Sequence, residues 1–113
     1  MAGHIKIRQA PGTYVIRVDG AVIGESARAL ELTEGASSPV IYVPREDVAM
    51  ALLDASDRTS TCPWKGQASY YSIVTESRVL KDAVWSYEAP KDDMAQIAGH
   101  LAFYTDRVTV VRS

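Results

Sequence analysis

The 113 residues comprise 47% hydrophobic and 23% charged side chains, with 12 Lys and Arg against 14 Asp and Glu for a net charge of −2. This length suits one domain, residues 1–113, with enough chain to bury a core without metal or disulfide staples, and the charge balance supplies no bulk attraction to nucleic acid or to an anionic membrane. Cys62 is the single cysteine, which excludes an intrachain disulfide and a multi-cysteine zinc knot.

The N-terminal run Met-Ala-Gly-His-Ile-Lys-Ile-Arg carries charge where a signal peptide needs an apolar stretch of about 7–15 residues. The expected compartment is therefore the cytosol, in keeping with a free thiol. Ile5 and Ile7 alternate with Lys6 and Arg8, and Tyr14, Ile16 and Val18 with Thr13, Val15 and Arg17, the period-two pattern of half-buried strands. Asp19-Gly20 then predicts a tight hairpin into Ala21-Val22-Ile23, because both residues tolerate positive φ. Leu30 and Leu32 mark the next strand, Glu34-Gly35 and Ser37-Ser38-Pro39 a loop, and Val40 to Val43 another strand.

Pro44-Arg45-Glu46-Asp47 has the composition of a helix start. Val48, Ala51, Leu52 and Ala55 then recur at helical spacing, which predicts a helix ending near Asp54–Asp57. Thr59 to Gly66 reads as irregular. Tyr70, Ser72 and Val74 predict a strand, and Ala83, Trp85 and Tyr87 one face of another. Asp92 or Asp93 is expected to cap a second short helix carrying Met94, Ile97, Ala98 and Leu101, before strands at Phe103-Tyr104 and Val108 to Val111. The longest apolar run, Val48 to Leu53, is far short of the roughly 20 residues of a membrane span. The predicted fold is mainly β, antiparallel and hairpin-connected, with two short helices.

The densest chemistry lies in Cys62-Pro63-Trp64-Lys65-Gly66. Cys62 near Lys65 and Arg58 could be an activated thiol or, as is common for a free cysteine, a small buried hydrophobe. Lys65, between a proline turn and a glycine, suits a phosphate or carboxylate as a point charge, or is an ordinary surface lysine. The glycine-rich run of a phosphate loop is absent. Trp64, Tyr70, Trp85 and Tyr87 could line one cavity with their polar tips or simply fill core. Arg45 could point from the helix start into the same pocket. With His4 and His100 far apart in sequence and one cysteine, no metal site is expected.

The runs Val43-Pro44-Arg45-Glu46-Asp47-Val48, Cys62-Pro63-Trp64-Lys65-Gly66 with Ala68, Tyr70 and Tyr71, Ala83-Val84-Trp85-Ser86-Tyr87 with Pro90, and Ile97 to Tyr104, taken in order, resemble a bacterial and fungal family, the domain of unknown function 427. The resemblance covers nearly the whole chain. It implies a β-tent-like fold, two antiparallel sheets leaning together over a groove, similar to methionine-R-sulfoxide reductase and the thalidomide-binding domain of cereblon. Many β-tent proteins hold zinc through two Cys-x-x-Cys pairs, which this chain lacks, so a zinc-free version is implied. A nucleotidyltransferase label attached to the family finds no Gly-Ser followed by an Asp-x-Asp metal pair here.

These readings give three expected functions and name no cofactor. The leading one is a groove that binds a small molecule, anionic or carbonyl-bearing, through Arg45, Cys62, Trp64, Lys65, Tyr70, Trp85 and Tyr87. The second is an enzyme in the same groove, with Cys62 as nucleophile or Tyr70 as general acid and Lys65 stabilising negative charge. The third is an interaction module, including a homodimer, paired through a sheet edge or apolar patch.

Overall fold

The computed structural model describes residues 3–113; Met1 and Ala2, and with them the start of the N-terminal reading, lie outside the described residues. Ten strands follow in chain order: β1 (Ile5–Gln9), β2 (Tyr14–Val18), β3 (Ala21–Ser26), β4 (Leu30–Glu34), β5 (Val40–Tyr42), β6 (Leu53–Cys62), β7 (Gly66–Val74), β8 (Val79–Ser86), β9 (Leu101–Phe103) and β10 (Thr109–Arg112). They form three antiparallel sheets, ordered β1-β4-β5, β10-β2-β3 and β6-β7-β8-β9. Asp19 and Gly20 turn β2 into β3 with φ of 51° and 83°, the left-handed pair that a two-residue hairpin of this twist requires.

The expectation of two leaning sheets and two short helices is corrected on both counts. The additional sheet is β10-β2-β3, in which the C-terminal β10 pairs with β2 rather than with its neighbour in sequence, β9. Where the first helix was expected, two single 3₁₀ turns, Arg45–Asp47 and Met50–Leu52, flank an extended Val48. Ala49 N–H donates to the Ile23 carbonyl at 2.8 Å, and Val48 bridges Gly24 of β3. That tertiary pairing takes the backbone donors a helix would use, and a β-branched valine gives up little helical preference in the exchange. The chain from Leu53 onward is strand β6, rich in Asp, Ser and Thr, residues that favour extended or turn backbone over helix interior. The second helix is also a 3₁₀ segment, Asp92–Ile97, kinked at Met94; Lys91 stands at its start and no side chain caps it, so neither Asp92 nor Asp93 has the expected role.

The apolar residues divide into two buried clusters. Ile16, Ile23, Val43, Ile73, Val84 and Leu101 belong to the first, and Leu32, Tyr42, Tyr70, Tyr87, Ile97 and Ala102 to the second. Alternation along β9 sends Leu101 and Phe103 to one cluster and Ala102 to the other, so the third sheet is covered on both faces around its β8–β9 edge. The sheets are tied together where Val43 and Leu101 exchange both backbone hydrogen bonds, each 2.8 Å long. Gly24 makes the crossing of β3 and the Asp47–Val48 segment possible, since a Cβ there would stand 3.1 Å from the Asp47 carbonyl oxygen.

Ser86 in β8 is wholly buried, and its Oγ has no hydrogen-bond partner among the described residues. An unpaired buried hydroxyl costs about 1–3 kcal/mol. Ser86→Ala is therefore expected to raise the unfolding free energy by about 1 kcal/mol with an unchanged urea m-value; a loss of stability of that size would show instead that the hydroxyl is bonded.

Candidate functional site

The Pro63-Trp64-Lys65 turn joins β6 to β7, with Cys62 paired to Gly66 across its base. Gly66 takes φ of 111° there, backbone that other residues adopt only with strain. The turn is pinned from outside by Lys91 N–H, which donates to the Lys65 carbonyl at 2.9 Å. Its consequence is that Lys65 folds inward: the residue is only 8% exposed. Nζ lies 2.7 Å from Glu34 Oε1 at the end of β4, and 5.9 Å from the centre of the Tyr87 ring.

Lys65 lines a groove of about 250 Å³. The first sheet contributes Leu32, Val40 and Tyr42, the loop after β4 contributes Ser37 and Ser38 beside Glu34, and the third sheet and its continuations contribute Tyr70, Trp85, Tyr87 and Tyr104. Tyr70 and Trp85 are register partners across β7 and β8, which sets their rings side by side on one face. Trp85 Nε1 donates to the Tyr42 hydroxyl at 3.2 Å, and its ring packs against Tyr104 with centres 4.6 Å apart. Tyr70 shares a 2.8 Å hydrogen bond with Ser60, and the Arg58 guanidinium lies 4.6 Å from its ring centre.

Burial reinforces the neutral form of the phenols. Desolvation pushes the Tyr42 hydroxyl up to about 12, and raises Tyr87 further still, with nearby Tyr42 and Cys62 adding to the effect. Both therefore stay protonated, as hydrogen-bond donors, throughout the neutral range. No side chain among the described residues accepts the Tyr87 proton, and Tyr87 lines the groove.

Of the seven residues singled out in the sequence, Lys65, Tyr70, Trp85 and Tyr87 line this groove. Three do not. Arg45 is held elsewhere: its Nη2 donates to both carboxylate oxygens of Glu88 at 2.8 Å and its Nε to the Gly99 carbonyl at 3.0 Å, while the Tyr71 hydroxyl donates to the same Glu88 at 2.7 Å. This is a clamp between the first 3₁₀ turn and the segment after the third. Trp64 is 41% exposed and meets His4 edge-on with ring centres 4.8 Å apart. Cys62 is half-buried against the second core cluster. Sequence reading missed Glu34, Tyr42 and Tyr104. Glu34 reads as a turn residue beside Gly35, and nothing local announces a partner 31 positions away; Tyr42 and Tyr104 read as plain strand residues, and only their polar tips gave a signal.

Glu34 links the site to pH. The hydrogen bond from Lys65 holds its carboxyl below the ordinary 4.5, with charge from Lys65 and His4 assisting against desolvation. A carboxyl depressed in the folded state adds stability that is complete above its unfolded value and is lost as pH falls through the lower folded value. Acid titration of unfolding should thus show a steeper loss of stability below about pH 4.5 in the native chain than in Glu34→Gln, which starts less stable at neutral pH. Identical slopes for the two would mean that Lys65 and Glu34 are not coupled.

Among the described residues no three His, Cys, Asp or Glu side chains gather as metal donors, and no helix is long and apolar enough to cross a membrane. A comparison with curated proteins finds no match. A family model described as a domain of unknown function (DUF427) matches residues 6–113, and so takes in the Lys65 turn and the whole groove. The chain belongs to the domain of unknown function 427 family.

Proposed function

We propose that the groove binds a small neutral molecule bearing a carbonyl group, which accepts a hydrogen bond from Tyr87 and lies against the faces of Trp85 and Tyr70. The observation that carries this reading is the charge state of the groove. Lys65 is the cation that would have favoured an anion, and Glu34 neutralises it at 2.7 Å; Arg45, the second cation, is engaged by Glu88 outside the groove. With the indole N–H of Trp85 given to Tyr42 and the Tyr70 hydroxyl bonded to Ser60, what remains for a ligand is the Tyr87 hydroxyl beside largely apolar walls, which suits an uncharged acceptor. A carboxylate ligand would meet Glu34, and no groove-lining residue carries an unpaired positive charge in compensation.

An enzyme built on Cys62 has no comparable support, because the thiol is outside the groove lining and packs against the core.

The test uses benzamide as a neutral carbonyl probe and benzoate as its anionic counterpart, followed through the indole N–H resonance of Trp85. Trp64→Phe leaves that as the sole indole signal. Benzamide is expected to shift the resonance saturably and benzoate to bind more weakly. Tyr87→Phe should weaken benzamide about tenfold, the worth of one hydrogen bond of roughly 1–1.5 kcal/mol, and Cys62→Ser should leave it unchanged. Equal affinity for the two probes, or no effect of Tyr87→Phe, overturns the reading.

A further inference from the structure

Glu34 lines the groove together with Lys65 and Tyr87, and neutralising Lys65 uses only part of what its carboxylate can do. An ionised carboxylate accepts hydrogen bonds at both oxygens. Oε1 takes the Lys65 ammonium at 2.7 Å. Oε2 accepts no hydrogen bond among the described residues, and His4 Nε2 stands off from it at 3.7 Å. The carboxylate is also close enough to the phenols for its charge to raise the hydroxyls of both Tyr42 and Tyr87. The groove thus brings an unused carboxylate acceptor into the neighbourhood of the unused Tyr87 donor.

A ligand that satisfies only the phenol leaves Oε2 short of a partner wherever it displaces water, and an unsatisfied charged acceptor costs more than a neutral one. An ammonium group would satisfy Oε2 but would set a second positive charge beside Lys65, which already balances Glu34. A neutral N–H meets the demand without disturbing that balance.

We infer that the ligand carries an N–H next to its carbonyl, as a carboxamide does, and that Glu34 selects for it by accepting this N–H at Oε2 while Tyr87 donates to the carbonyl oxygen. This rests on the reading of the groove as a carbonyl site and narrows it. Ketones, aldehydes and esters offer the acceptor without the donor, so Glu34 becomes the residue that separates amides from them.

The experiment compares benzamide with acetophenone, in which a methyl group replaces the amino group at nearly the same shape. Both are followed through the Trp85 indole resonance, with Trp64→Phe as the background that leaves it the sole indole signal. Benzamide is expected to bind at least about fivefold tighter, since a hydrogen bond to a charged acceptor is worth more than one between neutral groups. Adding Glu34→Gln turns one carboxylate oxygen into an amide nitrogen, which cannot accept, while the other remains for Lys65. The preference should then vanish: benzamide falls to the level of acetophenone, whose own affinity persists and shows that the variant has folded. A preference below fivefold before that substitution overturns the inference, with no variant of Glu34 needed, and leaves the carbonyl site standing. A preference that survives Glu34→Gln overturns it equally. If neither probe shifts the Trp85 resonance, the carbonyl reading fails and the inference with it.

Discussion

A buried ammonium group organises this structure. Withdrawing a lysine from water costs several kcal/mol unless the charge is paired and hydrogen-bonded, and Lys65 meets that demand through Glu34. The pairing constrains more than two side chains. It holds the β6–β7 turn against the end of β4, with the Lys91 contact to the Lys65 carbonyl fixing the turn from the other side. Elements from the first and third sheets, which share few backbone hydrogen bonds, are thereby held at the separation that leaves a groove between them. The same pair cancels the charge that the groove would otherwise present. One interaction therefore fixes both the shape of the cavity and its electrostatic character.

The position of the groove follows from how the core is divided. The first cluster is aliphatic apart from Phe103 and closes completely around residues such as Ile16, Ile73 and Val84. The second includes three tyrosines, Tyr42, Tyr70 and Tyr87, with Trp85 and Tyr104 packed against it. Rings with polar tips cannot close a core in the same way, because each hydroxyl or indole N–H needs a partner. Trp85 finds one in Tyr42 and Tyr70 finds one in Ser60; Tyr87 finds none among the described residues, and it lines the cavity. The groove lies where the second cluster runs out of internal partners for its own polar atoms.

Arg45 shows how a charged residue in a shared motif can serve stability in place of ligand binding. Its planar guanidinium grips Glu88 through two hydrogen bonds and Gly99 through a third, a geometry that lysine could not reproduce. The clamp bridges the first 3₁₀ turn and the segment following the third. The first and third 3₁₀ segments are short, uncapped by side chains and without helical cooperativity of their own, so a side-chain anchor of this kind supplies order that the backbone does not.

Features resting on a few adjacent residues were legible in the chain alone. Strands β1 and β2 follow from alternation of apolar and polar side chains, and the Asp19-Gly20 hairpin follows from conformations that those two residues adopt cheaply. Lys65, Tyr70, Trp85 and Tyr87 were recognisable because they are polar or aromatic groups in two compact motifs. By contrast, the periodicity of Val48, Ala51, Leu52 and Ala55 suggested a helix, and pairing with Gly24 and Ile23 overrode it. Strand β6 has no alternation to reveal it, since most of its side chains face solvent and its order comes from β7. The sequence by itself determined that this is a β-rich chain with one polar-aromatic cluster, because strand period and turn chemistry are local. Only the tertiary structure decided that there are three sheets, that Glu34 neutralises Lys65, and that Arg45 and Trp64 stand outside the groove. Each of those depends on which distant residue satisfies a hydrogen bond or a charge, and local spacing carries no record of that choice.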